Sequence, residues 1–176
     1  MGVERRLRFE LLYGKYGPVV KAYALRRVHE SAADDLVAEV FMVCWRRFDE
    51  LPLDPLPWLL GVARRVASTQ RRGERRRAAL GERLIEAALD PPETVPALTD
   101  SLLAQALERL RDSDRELLLL IAWDGLSPAQ AAVVLGIKPA TARVRLLRAR
   151  RRLVRSLADG DSTAPTCVPL SMESSS

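Results

Sequence analysis

Residues 125–153, GLSPAQAAVVLGIKPATARVRLLRARRRL, decide how this chain folds. Ser127-Pro128-Ala129-Gln130 has the form of a capping box. The serine hydroxyl accepts from the backbone N–H three residues on, and the glutamine side chain reaches back to the serine N–H. Pro128 falls at the first helical position, where a missing N–H costs nothing. The short helix that this opens runs to about Leu135, and Gly136 can take the left-handed backbone that closes it. Pro139 opens a second helix in the same way, with no breaker before Gly160. Short helix, glycine turn and longer helix make a helix-turn-helix.

At about 100° per residue the second helix divides into two faces. Ala142, Leu146, Ala149 and Leu153 form a stripe that should pack inward. Ala140, Arg143, Val144, Leu147, Arg148 and Arg151 fall on the opposite side, with Arg145, Arg150 and Arg152 on the flanks. A face of arginines and small apolar groups suits a major groove, where Arg reads guanine edges and apolar groups meet thymine methyls. The plainer reading is a solvated basic helix or one that meets an acidic partner, because charge alone says little about function. The double cap, the Ala132-to-Gly136 spacing and the one-sided arginines favour duplex DNA.

Composition narrows the rest. Length 176 allows one medium domain or two small ones, and 48% hydrophobic with 29% charged residues describes a globular chain with a usable core. Ala, Leu and Arg dominate while aromatics are 5%, so the chain leans helical. The net charge of +5 is modest, but the arginines are clustered, which matters more to a polyanion. The longest apolar run, Leu117–Trp123, is too short to span a bilayer, and MGVERRLRFE lacks a signal-peptide core. Two cysteines, Cys44 and Cys167, make no disulfide framework, and one histidine, His29, leaves no zinc set. The expectation is a cytoplasmic protein without metal or cofactor.

Upstream, Phe9, Leu12, Tyr13, Val19, Val20, Tyr23 and Ala24 have helical spacing. Gly14, Gly17 and Pro18 predict a break into two helices. His29 reads as an exposed turn residue. In residues 31–48, SAADDLVAEVFMVCWRRF, Ser31 is placed to cap a helix with Asp34 and Asp35 in its first turn. Val37, Val40, Phe41, Cys44, Trp45 and Phe48 form its buried stripe, which makes Cys44 a small core residue rather than a nucleophile. Asp35, Ala38, Glu39, Met42 and Arg46 share the other face, either a plain solvated surface or a dock for a basic, partly apolar helix.

Residues 49–57, DELPLDPLP, read as a stiff loop because prolines deny regular hydrogen bonding. Helix returns at Trp58–Arg72, with Leu59, Val62, Ala63 and Val66 inward. Arg64, Arg65, Ser68, Arg71 and Arg72 point outward, and Arg75 to Arg77 follow. A second basic face remote from the first suggests an extended nucleic-acid track. Trp58 fits a stacking role and a core role equally. Asp90-Pro91-Pro92-Glu93 and Pro96 mark a linker. Leu102, Leu103, Ala106, Leu107 and Leu110 then make an amphipathic helix, and Asp112-Ser113-Asp114 breaks and re-caps it. Residues 115–123, RELLLLIAW, should be the central core helix. The Ser-, Thr- and Pro-rich end, with Cys167, reads as a disordered tail.

Taken together, the chain resembles the small bacterial RNA polymerase sigma factors of the extracytoplasmic-function type over about residues 9–157. Asp34 to Phe41 (DDLVAEVF) is similar to that family's polymerase-binding helix, and Trp58 to Arg64 (WLLGVAR) to its promoter helix. Arg115 to Leu120, Gly125-Leu126-Ser127, Gly136-Ile137 and Arg143 to Arg150 are similar to its C-terminal domain. Ala38 stands where the family has Gln, Arg65 where Asn is common, Lys138 at a usual Ser-type cap and Ala142 at an inward Val. The resemblance implies an all-α fold of two small helical domains joined by a flexible linker, the second carrying the helix-turn-helix. The expected bounds are 1–78, a linker at 79–99, 100–157 and a tail at 158–176.

It also implies roles. Asp35, Leu36, Glu39 and Met42 would bind core RNA polymerase at the clamp helices of its largest subunit. The proline loop with Trp58, Arg64, Arg65, Ser68, Arg71 and Arg72 would melt and hold the −10 element. Thr141, Arg143, Val144, Leu147, Arg148 and Arg151 would read the −35 duplex. Promoter DNA and an anti-sigma factor complete the implied partners. A stand-alone helix-turn-helix regulator is the rival reading, opposed by the second arginine cluster. An enzyme is disfavoured, since no nucleophile triad, P-loop or metal spacing is present.

Overall fold

The computed structural model describes residues 2–81 and 102–161. Its regular elements are helices: α1 (Gly2–Leu25), α2 (Glu30–Arg46), a 3₁₀ turn (Phe48–Glu50), α3 (Leu56–Gly81), α4 (Leu102–Glu108), α5 (Asp112–Ala122), α6 (Pro128–Leu135) and α7 (Pro139–Asp161). The linker beyond Gly81 and the tail beyond Asp161 lie outside the described residues. Within them, α3 continues three residues past the expected domain end at 78, and α7 four residues past 157.

Helices α1, α2 and α3 pack together as one module, and α4 to α7 as another. The expected break in α1 does not occur: Pro18 lies inside one continuous helix. The residue before a proline normally avoids helical backbone because its Cβ meets the ring, and here that residue is Gly17, which has none. Ser31 does not cap α2. The α1 turn closes through Val28 N–H to the Ala24 carbonyl (2.9 Å), so the helix re-enters at Glu30. The Ser31 hydroxyl instead pairs with His29 Nδ1 at 3.1 Å.

The first core is built from Val20, Tyr23 and Ala24 of α1, Leu36, Val40, Phe41 and Cys44 of α2, and Leu59, Leu60, Ala63 and Ala67 of α3. Trp45, expected inward, sits on the rim at 40% exposure. Its ring packs edge-on against Phe9 (5.1 Å between centroids), and the Arg5 guanidinium covers it at 4.9 Å.

In the second module Leu117 and Leu120 of α5 are fully buried, beside Ala131, Val134, Ala142, Leu146 and Ala149. Leu102 and Leu103, expected inward, are exposed, while Ala104, Ala106 and Leu107 carry the buried face of α4. Nor does the Asp112-Ser113-Asp114 segment cap by side chain. Arg111 is the N-cap without a side-chain bond, and Asp114 receives Arg152 at 2.8 Å. The end of α4 is closed by Arg115, whose guanidinium donates to the Leu107 and Glu108 carbonyls, each at 2.8 Å. A cation at a helix C-terminus also meets the negative end of its dipole.

The two modules share one buried cluster, joined where α3 meets α6. Gly61 is the close-approach point: a Cβ built there would lie 3.7 Å from Val134 Cα, an ordinary contact distance. A methyl therefore fits. Replacing Gly61 by Ala is expected to raise stability by about 0.5–1 kcal/mol through helix propensity. A thermal melt checks this, and a lowered melting temperature would mean the helices sit closer than this geometry.

Candidate nucleic-acid interface

The helix-turn-helix forms as its residues dictate. Ser127 Oγ accepts from Gln130 N–H at 3.2 Å, and Gln130 Oε1 accepts from Ser127 N–H at 2.8 Å. Pro128 opens α6, and Gly136 closes it at φ +65° with its N–H on the Ala132 and Val133 carbonyls. That left-handed residue reverses the chain tightly enough for α7 to start at Pro139 and lie across α4, α5 and α6. Lys138 holds the cap position of α7 through its carbonyl, which accepts from Ala142 N–H at 3.1 Å.

On α7 the two faces separate as the spacing requires. Ala142, Leu146 and Ala149 are buried and Leu153 half-buried, while Ala140, Thr141, Arg143, Val144, Leu147, Arg148 and Arg151 are all exposed. Val144 and Leu147, each about half exposed, are apolar groups with no partner among the described residues' core. Of the flanking arginines, Arg152 is held by Asp114 and so serves the fold.

The second basic face lies on α3. Arg65 and Arg72 are exposed and Arg64, Ser68 and Arg71 half-buried; Trp58 is half-buried and packs on the core. Arg76 continues the row and is exposed, its Nε donating to the Arg72 carbonyl at 3.3 Å. Ahead of α3, Pro55 and Pro57 are buried and pin the loop to the core, which presents Leu53 fully exposed at its tip. Leu53 drew no attention in the sequence because a leucine among prolines has no period to violate. Only the fold shows a rigid loop holding an apolar side chain in solvent.

On α2, Asp35, Glu39 and Met42 are exposed together, with Met42 at 52%. Leu36 is different: its side chain is 0% exposed. The family resemblance groups it with Asp35, but the next residue on a helix turns by about 100°, which here carries it into the core. Leu36 supports this face from beneath rather than lining it. Cys44 is likewise fully buried, and burial pushes its thiol up to about 11.

Between the modules lies a polar cluster that the sequence did not disclose. Arg26 donates to Asp124, Arg27 Nε donates to Glu116 at 3.1 Å, and Arg27 Nη2 lies 3.5 Å from Asp124. The Tyr23 hydroxyl donates to Glu116 at 3.2 Å, and the Arg27 guanidinium stacks 3.5 Å from the Tyr23 ring centroid. Burial, reinforced by Glu116, pushes the Tyr23 phenol far above its usual range, so it stays protonated and can donate. Burial also pushes the Asp124 carboxyl up, against the pull of Arg27 and Arg26. These groups are 89 to 98 positions apart along the chain, so no local pattern connects them. A further bond, Gln130 Nε2 to Asp54 at 2.7 Å, ties the cap of α6 to the proline loop.

An all-helical chain with a helix-turn-helix and a second basic helix beside a rigid loop defines a two-module DNA-binding protein. Comparison with known proteins gives the family. Residues 12–77 match Sigma-70 region 2, and residues 101–153 match Sigma-70, region 4. The ECF RNA polymerase sigma factor SigL of Mycobacterium tuberculosis is 32% identical over 151 residues, covering 81% of this chain and 84% of SigL. The probable RNA polymerase sigma factor RfaY of Xanthomonas campestris is 32% identical over 142 residues. That match covers 74% of this chain and 36% of RfaY, so the chain spans about a third of that longer protein. Among solved structures, the sigma factor RpoE in complex with the anti-sigma factor NepR from Bartonella quintana aligns with a TM-score of 0.62. It is 26% identical, with 86% of this chain and 97% of RpoE covered. The chain belongs to the ECF family of RNA polymerase sigma factors, the subunits that direct polymerase to promoters. Among the described residues no helix is long and apolar enough to cross a membrane.

Proposed function

We propose a division of labour among three surfaces. The face of α2 formed by Asp35, Glu39 and Met42 docks on core RNA polymerase, at the clamp helices of the largest subunit. Two acids around an exposed methionine suit a basic, partly apolar helix. The proline loop and the α3 face (Trp58, Arg64, Arg65, Ser68, Arg71 and Arg72) open the −10 element and hold its single strand. Leu53 is placed to act as an apolar wedge, and the arginine row tracks the backbone. The α7 face, Thr141, Arg143, Val144, Leu147, Arg148 and Arg151, reads the −35 element as duplex in the major groove.

The observation that carries this reading is the exposure of that whole α7 face on a properly capped helix-turn-helix, within a chain whose halves match regions 2 and 4. The protein supplies contacts rather than chemistry, and works in the cytoplasm where polymerase meets the chromosome. The aligned RpoE is bound to an anti-sigma factor, and a partner of that kind for this chain would cover the same surfaces.

Run-off transcription from genomic promoter fragments, with and without added core polymerase, tests the reading. Specific initiation should require both proteins. Tight site-specific binding by the chain alone, unchanged by polymerase, would favour a stand-alone regulator. Glu39→Ala, an exposed change, is expected to weaken co-elution with core polymerase about three- to ten-fold, the scale of one charged contact. Equal co-elution would remove Glu39 from the interface.

A further inference from the structure

The proline loop that presents Leu53 is fixed at both of its ends. At the far end Pro55 and Pro57 are buried, and the Pro55 carbonyl accepts from Leu59 N–H of α3 at 2.9 Å. The near end leaves the 3₁₀ turn, where Glu50 N–H donates to the Arg47 carbonyl at 2.9 Å and Leu51 N–H to the Phe48 carbonyl at 3.4 Å. A 3₁₀ piece this short has little hydrogen-bonded structure of its own. Its direction therefore depends on what holds Phe48 and the end of α2.

That hold comes from the first turns of α1, where Arg5, Arg8 and Phe9 stand at helical spacing on one side. Arg5 Nη2 donates at 2.8 Å to the Trp45 carbonyl, one of the terminal carbonyls of α2 that lack a partner within the helix. The cation also meets the negative end of that helix's dipole. Arg5 Nη1 lies 3.6 Å from Asp49 of the 3₁₀ turn. The same guanidinium sits 4.9 Å from the Trp45 ring centroid and 6.0 Å from that of Phe48. Arg8 covers Phe48 at 5.7 Å, and Phe9 meets the Phe48 ring edge-on at 6.0 Å. One side chain thus joins helix end, turn and ring stack, a combination that needs the planar fork of an arginine. Arg5, Arg8 and Phe9 all precede the stretch 12–77 that matches Sigma-70 region 2.

We propose that Arg5 is a positioning residue for promoter opening: by clamping the end of α2 to the 3₁₀ turn, it sets the direction from which Leu53 meets the −10 duplex. The inference rests on the reading of Leu53 as the apolar wedge that opens that element. Leu53 is fully exposed, so its aim is inherited from the backbone on either side of it. The far side is secured by buried prolines, and the near side by Arg5 and the rings it covers. Arg5 acts through the loop and needs no contact with DNA.

The test is run-off transcription with the full chain and core polymerase on two templates, one fully duplex and one left unpaired across the −10 element. On the duplex template Arg5→Ala should lower initiation about ten-fold, the scale of one charge-assisted hydrogen bond. On the unpaired template, where no wedge is needed, it should match wild type, and it should co-elute with core polymerase as before. Leu53→Ala should show the same dependence on template. The double variant should be no worse than Leu53→Ala alone, because a wedge already removed cannot be misaimed. Arg6→Ala, an exposed neighbour held by Glu10, should match wild type on both templates. Circular dichroism checks folding; if Arg5→Ala is unfolded, Arg5→Lys carries the test, with a loss of about three-fold on the duplex template alone. Full activity on the duplex, an equal deficit on both templates, or additive losses in the double variant would each overturn the positioning role. Failure of the wedge reading is distinct: Leu53→Ala would then initiate normally on the duplex, and the role of Arg5 would fall with it. Failure of the sigma reading appears as no run-off from either template.

Discussion

Replacing Leu36 by alanine is expected to cost the chain about 2–5 kcal/mol of folding stability. The side chain is fully buried in the core that α2 shares with α1 and α3. Truncation removes most of its apolar surface from the core and leaves a cavity that close-packed helices fill only in part. Both terms add. The sum is a large fraction of a typical domain's total stability. The experiment is a urea titration followed by circular dichroism, with polymerase binding measured on the variant under conditions where it remains folded. Leu36→Ala should lower the midpoint sharply while the folded fraction still co-elutes with core polymerase. An unchanged midpoint with lost co-elution would return Leu36 to the binding face. Asp35→Ala gives the contrast: an exposed side chain one position away should leave the midpoint nearly unmoved.

The same contrast explains what could and could not be read from residue order. The helix-turn-helix was fully legible because its signals are local: a cap at Ser127, a proline at the first position, a glycine at φ +65° and an arginine face with one period. The α2 face of Asp35, Ala38, Glu39, Met42 and Arg46 was legible from helical spacing, whereas Leu36 was joined to it only by the family resemblance, and its side chain is buried. Pro18 stays inside α1 with Gly17 before it, a residue with no Cβ to meet the proline ring, which eases one of the constraints that make a proline a breaker. Arg115, read as the head of a core helix, in fact closes α4 through two carbonyls reached across the turn. The cluster joining Arg26 and Arg27 to Glu116 and Asp124 was invisible, since it exists only after the two modules meet.

Arg148→Ala is expected to lower initiation from a −35-dependent promoter by about five- to a hundred-fold, the range of one well-made base contact. Arg148 is exposed midway along α7, one helical turn from Val144 and Arg151 and beside Leu147, with Ala149 buried behind it. A side chain there can enter a groove without moving the helix, and its removal leaves the inward stripe intact. The loss should therefore be confined to DNA: the variant should melt like wild type and co-elute with core polymerase as before. Promoter variants separate two kinds of contact. If Arg148 reads a base, the defect should shrink on templates changed at the matching −35 position, because a contact already lost cannot be lost twice. If it meets only phosphate, binding should weaken evenly across sequences and the salt slope should fall by about one. Arg152→Ala is the internal control. Its guanidinium is spent on Asp114, so its removal should lower stability and leave promoter preference alone. Unchanged run-off transcription with Arg148→Ala would take this residue off the groove face and shift the reading role toward Arg143 and Arg151.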